Sequence, residues 1–382
     1  MPSAAPHLSE SGQPKSLRSL DALRGWAILG VVAVHSTELI PPKSLFLANL
    51  FDHGKKGVQL FFVVSAISLL FSLQSRWTME RNPVRNFFLR RYFRIAPLFY
   101  VAIVLSLWFD GLTPRDAAPD GLHWWYVPLT FLFANGWFPQ AQNSVVPGGW
   151  SIAAETTFYL CLPFLFRRIR DLRGALVLFA LGILWSFLWK LGMYRALAGL
   201  YPGDHFQIVR VFVYLHFFGQ LPVFFAGILA FQWLRAPPTG RSGVARWVGA
   251  LTLPVLVIGE SLTGKELNHL AYAAACAIFA ISLIRFESTR SSPFLHPVIV
   301  AFGTRSYGIY LCHFYVLRAM AAIKGPMESA FPDLPGQWTW PLGILLVVYA
   351  ASFGIASGLQ RWLERPSMRL GRRLIARLES GV

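Results

Sequence analysis

Apolar runs of roughly 17–25 residues alternate with short polar links along almost the whole chain. A helix rising about 1.5 Å per residue needs a run of that length to cross the hydrocarbon of a bilayer. The pattern predicts spanning helices at about 22–40, 57–73, 95–110, 151–166, 174–192, 211–233, 247–261, 267–285, 298–319 and 340–362. One apolar stretch does not fit. Residues 124–138, WWYVPLTFLFANGWF, are too few to span and contain Pro128. Counted as a span, they would break the parity of the basic links on either side. They are expected to be re-entrant or interfacial, with Trp124 and Trp125 at the outer interface. The predicted fold is therefore an all-α polytopic membrane protein of about ten transmembrane helices plus that segment. No internal repeat or separate soluble domain is visible. The expected organisation is a mobile cytoplasmic N-terminus over 1–18, a transmembrane domain over 19–366 and a mobile basic cytoplasmic tail over 367–382.

Composition sharpens this picture. The 382 residues are 55% hydrophobic and 14% charged, where soluble domains carry about a quarter. The net charge of +17 raises nucleic acid as a partner. Its distribution excludes that reading, because the cations lie in the links between apolar runs and form no basic face with interleaved aromatics. With the N-terminus inside, the inner links hold 23 of the 35 cations and the outer links ten, with Arg24 and Arg305 at helix starts. The positive-inside rule then puts both termini in the cytoplasm, as for a multi-pass protein of a cell's inner membrane. Cys161, Cys276 and Cys312 all sit in apolar runs and suggest neither a disulfide framework nor a metal site. The first apolar run follows a polar stretch without a small-residue cleavage site, so no cleavable leader is expected.

Polar residues inside the apolar runs are the candidates for chemistry, since each costs a few kcal/mol unless paired or wet (about 2.5–3.5 kcal/mol on insertion scales). Arg24 and His35 are eleven residues apart, which is about three helical turns. They share one face, roughly 16 Å apart along the axis. Arg24 alone is open to a plainer account, snorkelling to the inner surface or pairing with Asp21 one turn earlier. His35 is deeper and can accept a proton near neutral pH. Arg90, Arg91 and Arg94 lie at the inner start of the third apolar run. Guanidinium groups grip phosphates bidentately, so the cluster suits either a phosphorylated cytoplasmic donor or lipid headgroups. Ser151, Glu155 and Tyr159 form one polar stripe at i, i+4 and i+8; the carboxylate must face a cavity or pair with an arginine. Ser306, Tyr310 and His313 form a second stripe at i, i+4 and i+7. Small residues in Gly57–Ala66 and Phe224–Ala230 suit close helix packing, and Glu364-Arg365-Pro366 closes the last helix.

Taken in order, these segments resemble the membrane-bound acyltransferase 3 family. The matching residues are Asp21-x-x-Arg24 with His35, Gly57-Val-x-Leu-Phe-Phe-Val-x-Ser65, Arg91-x-x-Arg94-Ile-x-Pro97, Trp150-Ser-x-x-x-Glu155-x-x-Phe-Tyr159, Phe224-Phe-x-x-Gly227, Ser306-Tyr-x-Ile-Tyr-x-x-His313 and Glu364-x-Pro366. One departure is Ala66, where the family usually has glycine. The extra esterase-like domain of some members has no counterpart after the membrane part. The resemblance implies O-acylation of a carbohydrate or glycolipid acceptor from acyl-CoA, usually acetyl-CoA, used as a co-substrate with no permanently bound cofactor or metal. It carries Arg24 and His35 over as the signature catalytic pair and Arg91 and Arg94 as a second required pair.

The expected mechanism docks acyl-CoA phosphates on Arg90, Arg91 and Arg94, with Arg24 nearer the thioester and His35 as general base for the acceptor hydroxyl. Glu155 is expected to orient His35 or contact the acceptor. Ser151, Tyr310 and His313 are candidate oxyanion or acceptor contacts. A variant uses His35 as a transient acyl carrier. The outer links 41–56, 111–149 and 193–210 would build the acceptor pocket. An exporter of lipid-linked sugars is the rival class, and a non-catalytic sensor or scaffold the third; the latter leaves the Arg24–His35 face unexplained.

Overall fold

The computed structural model describes residues 18–115, 118–201, 206–236, 243–263, 269–286, 292–331, 333 and 339–380. Each of the ten apolar runs is helical within these residues, as it must be where no water can satisfy backbone amides. Six described helices are long and apolar enough to cross a membrane: Leu45–Arg76, Pro83–Asp110, Leu172–Ala198, Phe206–Arg235, Gly243–Thr263 and Thr339–Ser380.

The chain starts with α1 (Arg18–Leu39). A short α2 (Leu45–Asp52), whose N-cap Ser44 accepts from the Leu47 amide, leads through a 3₁₀ turn at His53–Lys56 into α3 (Gly57–Arg76). The next helix, α4 (Pro83–Asp110), begins about two turns before Arg90, so the whole arginine cluster is helical. The sequence placed the start of this span at about 95. The earlier start fits Pro83 at the first helical position, where its missing amide costs nothing.

The 124–138 stretch forms α5 (Tyr126–Phe131) and a 3₁₀ turn at Asn135–Trp137. Between them Phe133 has φ 59°, in the left-handed region. Then follow α6 (Gly149–Arg168), α7 (Leu172–Ala198), α8 (Phe206–Leu215) and α9 (Phe217–Arg235). They are succeeded by α10 (Gly243–Thr263) and α11 (His269–Phe286). The last elements are α12 (Pro297–Thr304), α13 (Ser306–Ala330), α14 (Thr339–Leu359), a π turn at Gln360–Glu364 and α15 (Arg365–Ser380).

Three expectations are corrected. The span at 211–233 is two helices, broken at His216 (φ −59°, ψ 148°), whose Nδ1 accepts the Phe218 amide at 3.1 Å. The span at 298–319 is broken at Arg305 (φ −112°, ψ 5°), whose guanidinium turns back to the Ala301 carbonyl and across to Ser357. The basic tail over 367–380 is a helix docked on α4, not a mobile segment. Ser367 donates to the Phe93 carbonyl, and Gly371 is flush against the Phe93 ring. Glu379 accepts the Arg81 and Asn82 amides, capping the start of α4. Residues 1–17 of the expected N-terminal arm lie outside the described residues.

α1 occupies the centre, packed on α3, α12, α13 and α14. Its approach to α12 is backbone on backbone. A Cβ at Gly25 would run into the Ile299 carbonyl, and one at Gly303 into the carbonyl of Asp21. By contrast α7 and α10 turn apolar side chains outward, among them Leu184, Trp185, Phe187, Val255 and Leu262, the pattern of a helix in contact with lipid.

Candidate active site

The three polar stripes read from the sequence line a row of cavities that runs along the helices. At one end, Arg76, Arg90, Arg372 and their neighbours line a vestibule of about 310 Å³ between α4 and α15. Arg91 and Arg94 line both this vestibule and a chamber of about 190 Å³. Arg24, Ser65, Ser68, Glu155, Tyr159 and Ser306 complete the polar wall of that chamber. Val58 and Tyr310 line it too, and they also line a third cavity of about 1,020 Å³ that contains His35. One face of each helix therefore passes two chambers. On α1 Arg24 belongs to the first and His35 to the second; on α13 Ser306 belongs to the first and His313 stacks beside the His35 ring.

In the small chamber Arg24 is held on two sides. Its guanidinium donates to Asp21 at 3.0 Å and to Ser68 at 3.0 Å. The Asp21 pairing suggested by the sequence is thus present, and it aims the guanidinium inward rather than replacing a role in the cavity. Ser65 donates its hydroxyl to Glu155. Arg91 Nε is buried and makes no hydrogen bond among the described residues. Three guanidinium groups thus share the chamber with Glu155 and the Asp21 partner, leaving a formal excess of positive charge. A confined, dry cavity of that sign attracts and orients an anion. Arg90 behaves differently from its neighbours: Glu80 takes both its terminal nitrogens, at 2.7 and 3.1 Å. It lines the vestibule and is already neutralised.

Between the chambers Ser151 Oγ lies 2.8 Å from Tyr310 Oη and 3.0 Å from the Gly148 carbonyl, and Tyr310 donates to that same carbonyl at 2.9 Å. Gly148 has φ 76°, the left-handed region. A Cβ there would come within 2.7 Å of the tyrosine oxygen. The expected oxyanion candidates Ser151 and Tyr310 are therefore committed to one another and form the partition.

In the large chamber Nδ1 of His35 lies 3.2 Å from Glu38 Oε2. A carboxylate accepts and does not donate, so Nδ1 carries the proton and Nε2 presents its lone pair. The carboxylate that orients His35 is Glu38, and Glu155 belongs to the other chamber. The ring packs 5.4 Å from His313 and 4.8 Å from Phe314, centroid to centroid. His313 is fully buried and donates from Nδ1 to the Ile309 carbonyl at 3.1 Å. Its Nε2 has no hydrogen-bond partner among the described residues.

A family model described as an acyltransferase domain matches residues 17–357. The chain belongs to the acyltransferase 3 family. It is a multi-pass membrane protein of that family, and the match covers both chambers. It is similar to the acyltransferase MdmB of Streptomyces mycarofaciens, 25% identical over 94% of this chain and 93% of that protein. It is also similar to the peptidoglycan O-acetyltransferase OatA of Listeria monocytogenes, 25% identical over 94% of this chain. The chain spans 56% of the length of OatA. No solved structure matches.

Sequence reasoning about the acyltransferase missed Glu38, Gln59 and His269. Glu38 was within reach, because it stands at i+3 from His35 on the same helical face. Gln59 and His269, which touch at 2.9 Å, come from helices more than 200 positions apart in the chain and leave no local signal.

Proposed function

We propose that the protein is an O-acyltransferase that moves an acyl group, acetyl in the first instance, from acyl-CoA to a hydroxyl of a carbohydrate or glycolipid. The supporting observation is the abutment of the two chambers at Val58 and Tyr310: guanidinium groups fill one, and a histidine with a free Nε2 lone pair faces the other. Acyl-CoA enters from the arginine end, which the positive-inside rule assigns to the cytoplasm together with both termini, in a bacterial inner membrane. All ten helices span in this reading. The phosphates of CoA meet Arg91 and Arg94, with Arg372 and Arg76 in the vestibule behind. The pantetheine arm passes Arg24 and reaches the partition, along the roughly 16 Å that separates Arg24 from His35 on one helix.

His35 Nε2 takes the proton of the acceptor hydroxyl as its oxygen forms the C–O bond to the thioester carbonyl carbon. The tetrahedral adduct collapses with cleavage of the C–S bond, and the proton held by His35 passes to the departing CoA sulfur. Glu38 holds the imidazole in the required tautomer and stabilises its cationic form while the proton resides there. The acceptor occupies the large chamber, whose rim includes Lys55, Asn143 and Gln207 from the links expected to build it.

Inverted membrane vesicles carrying the protein, supplied with acetyl-labelled acetyl-CoA, test this reading. Label should enter a glycan or glycolipid fraction with wild type and not with His35→Ala. Transfer that persists in His35→Ala, or none from any acyl-CoA with intact protein and supplied glycans, would overturn it in favour of an exporter.

A further inference from the structure

The large chamber contains a second polar cluster that the transfer step does not use. Gln59 of α3, Gln220 of α9 and His269 at the start of α11 all line it, and they are 3%, 1% and 8% exposed. Their internal hydrogen bonds fix what each has left. Gln59 Nε2 lies 2.9 Å from His269 Nδ1 and donates to Tyr214 Oη at 3.2 Å. An amide nitrogen has hydrogens and no lone pair, so His269 Nδ1 is the acceptor and the imidazole proton sits on Nε2. That Nε2–H has no acceptor, and Gln59 Oε1 has no donor, among the described residues. Gln220 Nε2 donates to the Tyr214 backbone carbonyl at 2.7 Å. Its Oε1 is again without a partner. Turning the Gln220 amide over would set oxygen against the Tyr214 carbonyl and lose a made bond; turning Gln59 over with the other His269 tautomer keeps both its bonds and only exchanges the free donor and acceptor between the two residues.

Buried polar groups are almost always paired. Three buried unpaired atoms belong to side chains that line one roomy cavity, contributed by three helices packed on one another. Together they offer one donor and two acceptors with no formal charge on any of the three. An anion would meet two carbonyl oxygens, and a compact cation would meet an N–H. A hydroxyl both donates and accepts, so neighbouring hydroxyls on one ring complement the set. Trp150, Tyr194 and Tyr214 line the same cavity and offer flat apolar surface to the C–H face of such a ring.

We propose that Gln59, Gln220 and His269 form a binding subsite for a neutral, hydroxyl-rich ring, a glycoside, which holds the acceptor while His35 acts on another of its hydroxyls. The use as an acceptor site rests on the proposed acyl transfer; the binding does not.

The full chain in lipid nanodiscs, titrated with chitotriose, maltotriose, a neutral macrolide glycoside and a uronic-acid disaccharide, tests the subsite by equilibrium dialysis. Wild type should bind at least one neutral glycoside saturably, and the uronic-acid disaccharide reports what Lys55, Lys56 and Arg210 of the same cavity add. Gln59→Leu, Gln220→Leu and His269→Phe should each weaken that binding about tenfold or more, as expected when ligand hydroxyls lose their partners. His35→Ala should leave it within a factor of about two of wild type, since it removes no atom of the subsite. Only variants that stay monodisperse and keep the wild-type melting temperature are compared, and one such variant suffices. Absence of saturable binding of any neutral glycoside to wild type overturns the proposal, as does unchanged binding in a folded variant. If binding behaves as stated while no label is transferred from any acyl-CoA, the subsite stands and the transfer reading falls.

Discussion

The two chambers differ in size, charge and construction. The smaller, about 190 Å³, is walled by arginines whose charge does not vary with pH in the physiological range. The larger, about 1,020 Å³, combines imidazoles, amides and aromatics with Lys55, Lys56, Arg210 and Glu38. Fixed charge in a tight space suits one invariant anionic partner. A mixed lining in a wide space suits partners that differ in shape.

That contrast can be broken from either side. The largest expected effect is that of His35→Ala, which should lower kcat by about 10²–10⁴-fold, the usual contribution of a general base. Acyl-CoA binding, measured by quenching with a fluorescent CoA analogue, should be unchanged; a loss of both would merge the two chambers into one site. Next comes Arg91→Ala. It should raise the KM for acyl-CoA by about 10–100-fold, the worth of one charge-assisted hydrogen bond, with the acceptor KM unmoved. A shift in the acceptor KM instead would reverse the assignment of the chambers.

Glu155→Gln tests construction rather than chemistry. It removes the carboxylate that Ser65 donates to beside three guanidinium groups, and should cost about 1–3 kcal/mol. Thermal unfolding in detergent would show this, and acyl-CoA at saturation should recover part of it by bringing its own negative charge. A smaller loss, about 1–2 kcal/mol, is expected for Gly148→Ala, from the left-handed backbone at that position and the contact with Tyr310.

The smallest effect concerns α15. Glu379 is held below the usual carboxylate range by the Arg81 amide, then by Asn86, the Asn82 amide and Arg85. A depressed carboxyl stabilises the docked helix above its unfolded pKa, and the contribution is lost as pH falls through the lower, folded value. Amide hydrogen exchange of α15, corrected for the intrinsic rate, should therefore rise below about pH 4, and trypsin cleavage after Arg372 or Arg373 should accelerate in Glu379→Gln at neutral pH. Equal protection in the variant would remove the cap from the account of α15.

The walls of both chambers were legible because helical periodicity is a local property. Arg24 with His35, Ser151 with Glu155 and Tyr159, and Ser306 with Tyr310 and His313 could each be placed on one face by counting residues. What these faces meet could not be counted. Glu155 was matched with His35 because both are ionisable and intramembrane, yet Glu155 bonds Ser65 in the chamber below. Arg90 reads as equivalent to Arg91 until Glu80 is seen to take both its nitrogens.

The breaks at His216 and Arg305 fall at polar residues within otherwise apolar runs, and are held by side chains returning to backbone. The tail was misjudged for another reason. Its arginines dominate the composition, while Met368, Gly371 and Ile375, which face α4, recur at helical spacing.

The partition at Tyr310 has an electrical consequence. Each unit charge that crosses an energised bilayer releases or absorbs about 2.3 kcal/mol per 100 mV, so a wet passage between the two faces would discharge the membrane. Tyr310, Ser151 and the Gly148 carbonyl are joined by hydroxyl bonds where the two chambers meet. Shortening Tyr310 is therefore the change after which membrane conductance is the first thing to measure.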